Sequence, residues 1–337
     1  MRDVATDRGG DAVPMVERAS VVEPASLVEP ALRRVVDSAH PDLARICRYH
    51  MGMDGGGSGK RVRATLAVLS ARAAGGGEDV AAAAGVAVEL VHQFSLLHDD
   101  VMDGDRQRRG RDAAWVAFGT GPAVLSGDRL LTAALTTASR AAAAPDAVVA
   151  LMSTLDELMD GQAEDLAFER RAVREVTPEQ YLRMARQKTG VLLGCSAGLG
   201  ARMSGRPALA DVLGEVGEQL GRAFQITDDV LGLWGDGAVT GKPVGADALR
   251  RKKTLPLLLG AHSATPEGAE LAELVDRGGS GDRLLELLER TGARRRAEEV
   301  AEEHLAAARR ALDAAGLDDD QRAQWEALLA RLAERTS

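Results

Sequence analysis

One stretch limits what this chain can fold into more than any other. The apolar, alanine-rich run Val80 to Leu90 leads into Leu96-Leu97-His98-Asp99-Asp100-Val101-Met102-Asp103, and a basic run, Arg106 to Arg111, stands just behind it. The apolar pattern predicts a buried helix. On that helix Asp99 and Asp103 share one face, while Asp100 turns about 100° away. Like charges at this spacing repel, weakly in an exposed helix and more strongly when partly buried. A hard divalent cation such as Mg²⁺ offsets the repulsion, because it takes oxygen ligands and commonly joins one or two carboxylates to a phosphate. The plainer reading is an acidic helix end frayed into solvent.

Alanine, leucine and arginine, all strong helix formers, are abundant among the 337 residues, aromatics make up 3%, and valine-rich alternating segments are absent. The chain is therefore expected to be all-α. No Pro/Ser-rich linker divides it after residue 30, so a single helical domain is expected over 27–337, behind a disordered tail over 1–26. That tail carries charges throughout and has no apolar core, unlike a signal peptide. The net charge of −9 argues against nucleic acid as a partner. Cys47 and Cys195 are the two cysteines, without metal-ligand spacing, which suits a reducing cytoplasm. No uncharged apolar stretch approaches the roughly 18 residues of a membrane span.

In chain order, an echo, Val22-Glu23-Pro24-Ala25 and Val28-Glu29-Pro30-Ala31, precedes a helix for which Pro30 suits the first turn. Gly55 to Arg63 superficially resembles a P-loop, but no strand precedes it and no Ser/Thr follows Lys60. What survives is an anion site at a helix start, with Lys60 and Arg63 on the first turn. His92 lies two turns before Asp99 on nearly the same face. Arg108 and Arg109 offer planar, bidentate recognition of phosphate. Two helices are expected over 121–144 and 145–168, the second ending in Gln162 and Asp165. Thr177-Pro178-Glu179-Gln180 is a strong helix start. That helix carries a polar break, Lys188-Thr189-Gly190. A second acidic pair, Asp228-Asp229, closes an apolar helix, and the Gly-rich basic segment from Trp234 to Lys253 reads as a phosphate clamp. Three or four amphipathic helices are expected over 254–335.

Two acidic helix sites with separate basic elements suit metal ions that bridge aspartates to a diphosphate. At this point the chain resembles the trans-isoprenyl diphosphate synthases, over roughly residues 30 to 335. Their first aspartate-rich motif, DDxxD, stands as Asp99-Asp100-Val101-Met102-Asp103, and their GKRxR element as Gly59-Lys60-Arg61-Val62-Arg63. His92 holds the place of the histidine seven residues upstream. The RRG, KTG and FQ elements are Arg108-Arg109-Gly110, Lys188-Thr189-Gly190 and Phe224-Gln225, and Lys242 and Lys252 match later lysines. The second DDxxD departs, reading Asp228-Asp229-Val230-Leu231-Gly232, with Asp236 one turn on as a substitute carboxylate.

The resemblance implies an antiparallel helix bundle around a central cavity (the isoprenoid synthase type I fold), a homodimer, and three Mg²⁺ ions per site. Asp99, Asp103 and Asp228 would hold the metal, with Asp100 and Asp229 beside them. Arg108, Lys188, Gln225 and Lys242 would hold the allylic diphosphate, Lys60, Arg63, His92 and Arg109 isopentenyl diphosphate, and Thr189 and Lys252 would also bind substrate. Phe94 and Ser95, just upstream of the motif, would set product length, expected at C15 to C20 with C20 favoured. The loop variant and long tail also resemble family members carried as cargo inside protein shells. A class I terpene cyclase would need a different second motif, and a non-catalytic subunit should have lost the aspartates.

Overall fold

The computed structural model describes residues 23–55, 59–141, 143–234, 252–279 and 281–333. The expectations placed on residues 1–22, on Asp236 and on Lys242 lie outside these residues. The fold is all-α, as the composition requires. Four helices come first: α1 (Pro24–Asp37), α2 (Pro41–Met51), α3 (Val62–Ala73) and α4 (Glu78–Met102). A two-stranded hairpin, β1 (Gln107–Arg108) and β2 (Arg111–Asp112), follows α4 at the basic run Arg106 to Arg111. Then follow α5 (Ala114–Phe118), α6 (Thr120–Ala138), α7 (Ala144–Glu169), α8 (Pro178–Ala185), α9 (Val191–Met203) and α10 (Pro207–Trp234). Among the described residues five further helices follow, α11 (Leu255–Ala261), α12 (Pro266–Asp276), α13 (Asp282–Arg290), α14 (Ala293–Asp313) and α15 (Asp319–Ala333).

Local chemistry accounts for many of these boundaries. Thr177 and Gln180 form the expected capping box, the Thr177 amide donating to Gln180 Oε1 at 2.8 Å and the Gln180 amide to Thr177 Oγ1 at 3.2 Å. Thr265 caps α12 through the Gly268 amide at 3.2 Å. Gly52, at φ 71°, ends α2 in the left-handed conformation, and Met53 N reaches back to Arg48 O at 2.9 Å. Pro24 rather than Pro30 opens α1; Pro30 sits inside the helix. The opening of α3 also differs from expectation. Arg61 is its N-cap, so Lys60 stands before the helix rather than on its first turn. Lys188, Thr189 and Gly190 do not break their helix. They form a π turn, Arg186–Gly190, that carries α8 directly into α9.

Helix α4 is the centre of the molecule, packed against α1, α3, α6 and α9. By length and composition it would cross a membrane, but most of its apolar window is buried inside the protein. It is therefore a core helix, with Ala81, Ala84, Val88, Val91 and Leu97 in one cluster with Leu32, Leu130 and Leu192. Close approach of the helices depends on glycine. A Cβ at Gly200 of α9 would meet the Ala67 carbonyl and the Ala71 amide of α3, both backbone atoms that cannot swing aside. Gly200→Ala should therefore lower stability by about 1–3 kcal/mol; denaturant melts that leave the midpoint unmoved would show that α3 and α9 can separate freely.

Candidate active site

The last turn of α4 ends on the first acidic cluster. Asp99 is half-buried, and Asp103 is the C-cap of the helix. Burial pushes the Asp99 carboxyl up to about 6, a rise that Lys188 opposes and Asp103 reinforces. Asp103 receives Gln162 Nε2 at 3.3 Å and lies 3.5 Å from Lys252 Nζ. Asp100, only 1% exposed, turns away from both. Its Oδ1 takes a 2.6 Å charged hydrogen bond from Arg108. The sequence placed Asp100 among the metal ligands, but its 100° offset directs it into the protein, where it holds the hairpin.

That hairpin sets the guanidinium groups. Arg108 and Arg111 pair across it, and the two residues of its turn, Arg109 and Gly110, have φ of 53° and 72°. Both residues at positive φ is the geometry of a type I′ turn, which favours Asn-Gly. An arginine in the left-handed region costs about 1–2 kcal/mol, so Arg109 sits where local preference would not put it. The hairpin docks on α2, Arg111 donating to Tyr49 O at 2.6 Å and Tyr49 Oη to Asp112 O at 3.0 Å. Arg109 lies over Gly59, its guanidinium 3.6 Å from where a Cβ would stand. Arg63 Nη1 is 3.3 Å from His92 Nε2. Burial, with Arg63 and Arg109 beside it, holds His92 well below its ordinary range and therefore neutral. His50, which the sequence did not single out, is likewise pushed down to about 3 by burial beside Arg108 and Arg109. The result is a concentration of fixed positive charge around two neutral imidazoles, a pocket for an oxyanion.

The second acidic pair repeats the division of labour seen in the first. On α10, Asp228 is exposed and Asp229 is 7% exposed. Asp229 accepts from the Tyr181 hydroxyl, from the Leu255 amide at 3.1 Å and from Gln225 Nε2 at 3.2 Å. It thereby ties α8, α10 and α11 together rather than facing the site as a ligand. Gln225 in turn accepts from Thr189 Oγ1 at 2.6 Å. Thr189 and Lys188 come from the π turn, which Gly161 of α7 admits, since a Cβ there would meet the Lys188 amide. Lys188 Nζ donates to Asp165 of α7 at 2.5 Å. Gln162 and Asp165 are thus site residues that the sequence offered only as the polar end of a helix. Nothing local set them apart, since the same helix also carries Asp156, Glu157, Asp160 and Glu164.

Below the carboxylates lies a cavity of about 330 Å³. Phe94, Ser95 and His98 of α4 form one wall, Leu131 of α6 another, and Leu158, Met159 and Leu166 of α7 a third. Phe94 stacks edge-on against His98, with ring centroids 4.7 Å apart. His98 Nε2 is satisfied by Val124 O at 3.1 Å. The volume lies at the small end of the about 300–1,000 Å³ usual for ligand pockets. The lining is mostly apolar, with the charged groups at its mouth. Such a site suits a molecule with a polyanionic head and a hydrocarbon tail.

Among the described residues no three potential ligands gather into a closed metal cage. Asp99 and Asp103 offer hard oxygen donors only, a set that suits Mg²⁺, which takes one or two carboxylates and completes its shell with water and phosphate.

A family model described as polyprenyl synthetase matches residues 41–289. A geranylgeranyl diphosphate synthase of Mycobacterium tuberculosis is 43% identical over 254 residues, 72% of each chain. A (2E,6E)-farnesyl diphosphate synthase of the same species is 38% identical over 294 residues, 81% of each. Among solved structures, a polyprenyl synthetase from Streptomyces coelicolor A3(2) superposes with a TM-score of 0.86 at 37% identity, covering 92% of this chain and 97% of that one. The acidic pairs, the guanidinium pocket and the apolar cavity thus stand in a chain that belongs to the polyprenyl synthetase family of prenyltransferases.

Proposed function

We propose that the chain is a short-chain trans-isoprenyl diphosphate synthase. It extends an allylic diphosphate by one isopentenyl diphosphate at a time to C15–C20 products, with geranylgeranyl diphosphate favoured. The observation that carries this is the pairing of an apolar cavity with two separate charged regions. Asp99 and Asp103, beside Lys188 and Lys252, stand at its mouth, while Arg63 meets His92 and Arg109 lies over Gly59; with the neighbouring Lys60 these are assigned to a second diphosphate.

In the reaction the allylic C–O bond breaks and its electron pair leaves with the diphosphate. The double bond of isopentenyl diphosphate supplies the electrons of the new C–C bond, and one proton is lost. Asp99, Asp103 and Asp228 would hold Mg²⁺, three ions in the family's manner, and the metal would supply charge neutralisation for the departing diphosphate. Lys188 and Lys252, beside these carboxylates, are assigned to the same group, and Lys242 with them. Charge separation dominates the barrier, so preorganised cations at the leaving group are the main catalytic contribution. Arg108, Thr189 and Gln225 shape the allylic subsite, with Asp100 and Asp229 fixing Arg108 and Gln225 respectively. The apolar wall keeps water from the allylic cation. A homodimer in the cytoplasm is the accompanying assignment, in keeping with two free cysteines; for the tail, docking inside a protein shell stands as an alternative to an unselected extension.

Incubation with isopentenyl diphosphate and dimethylallyl, geranyl or farnesyl diphosphate should give C15 and C20 diphosphates. Cyclised hydrocarbons, or no elongation at all, would replace this reading with a cyclase or a non-catalytic subunit. Arg109→Asn provides a sharper check. Asparagine tolerates the left-handed turn, so the variant should melt at or slightly above the parent while the KM for isopentenyl diphosphate rises at least tenfold. An unchanged KM would remove Arg109 from that subsite.

A further inference from the structure

Three basic residues stand in Gly59-Lys60-Arg61-Val62-Arg63, yet the middle one does not join the oxyanion pocket. Arg61 is 6% exposed and points into the junction of α1 and α4. Its Nη1 lies 2.6 Å from Glu89 Oε1 and its Nη2 3.2 Å from Glu29 Oε2. Glu89, 2% exposed on α4, also accepts from Gln93 Nε2 at 2.7 Å. A carboxylate and a guanidinium this deeply buried persist only as a hydrogen-bonded pair. The backbone of Arg61 is itself unusual, at φ 48° and ψ 36°. Left-handed backbone at a non-glycine residue is held by its surroundings, not by its own preference.

Helix α4 grips this segment at two points one turn apart. Glu89 takes Arg61, and His92 meets Arg63. We propose that Arg61, clamped by Glu89 and Glu29, is a positioning residue: it holds the segment in the left-handed turn that presents Lys60 and Arg63 to one and the same diphosphate. Arg61 itself does not touch substrate. The proposal rests on the functional reading above and assigns to the buried triad a role confined to the isopentenyl diphosphate subsite.

Glu89→Gln keeps the shape and the Gln93 contact but removes the charge. In steady-state assays it should raise the KM for isopentenyl diphosphate about tenfold, leaving kcat and the KM for the allylic diphosphate within twofold. Arg61→Met, of similar length without charge, should reproduce that split, and Arg61→Lys should recover most of the loss. Should the Glu89 variant fail to fold, Glu29→Gln, at the more exposed end of the triad, should give the same selective shift at smaller size. Two KM values that rise together, or an Arg61→Met protein with unchanged KM, would overturn the proposal by reducing the triad to a fold-wide strut. Calorimetric titration of the unsubstituted protein with isopentenyl diphosphate separates the two failures. Absent binding there overturns the functional reading, and this proposal with it. Normal binding that Arg61→Met leaves untouched overturns the positioning role alone.

Discussion

Asp99→Ala should lower kcat by about a thousandfold or more, with the helical fold intact. The figure follows from what the carboxylate supports. Metal-assisted stabilisation of a leaving group is worth several kcal/mol, and each 1.36 kcal/mol is a factor of ten in rate. Removing Mg²⁺ with EDTA should act on the same step and to a similar extent. The fold should not suffer, because Asp99 is not a structural anchor. Its carboxyl is pushed up to about 6 by burial, so the ionised form is a cost that the folded chain carries at neutral pH. In EDTA, Asp99→Asn should accordingly melt no lower than the parent. Asp100 provides the contrast. It holds Arg108 at 2.6 Å from a position 1% exposed, so Asp100→Ala strands a half-buried guanidinium and should cost stability as well as rate. Full activity of Asp99→Ala, or of the enzyme in EDTA, would dispose of the metal reading. A collapsed circular-dichroism spectrum for Asp99→Ala would make the residue structural.

Phe94→Ala should lengthen the product. The diphosphate head is fixed at Asp99 and Asp103, so the growing hydrocarbon runs back along α4, where the Phe94 ring closes the wall against His98. Ser95 beside it is small and leaves depth at the side. In a filled core, Phe→Ala costs about 3–5 kcal/mol. Here one side of the ring faces an existing cavity and already lacks packing partners, so the expected cost is about 3 kcal/mol or less by the same reasoning. Product analysis with farnesyl diphosphate as primer should show chains beyond C20. An unchanged product spectrum from a well-folded variant would place the floor of the cavity elsewhere, with Met159 and Leu166 of α7 the next residues to truncate.

Residues 1–22 and residues 235–251, on which Lys242 falls, lie outside the described residues, and the assignments placed on them rest on the sequence. Elsewhere the sequence by itself determined whatever depends on near neighbours. The Thr177 and Thr265 caps, the buried character of α4 and the shared face of Asp99 and Asp103 are all matters of spacings of three or four residues, which helical geometry translates directly into space. The all-α class followed from composition for the same reason. Tertiary structure alone decided which member of each acidic pair faces the site. Asp100 and Asp229 differ from Asp99 and Asp228 by one position, and only the packing of the hairpin against α4, and of Tyr181 and the Leu255 amide against α10, buries them. It also decided that Arg61 leaves the basic trio to join Glu89 and Glu29, and that Gln162 and Asp165 enter the site. Apart from Arg108, which stands 8 residues from Asp100, these partners lie far away in the chain, and the free energy of a buried charge depends on the partner it meets, a quantity no local pattern records.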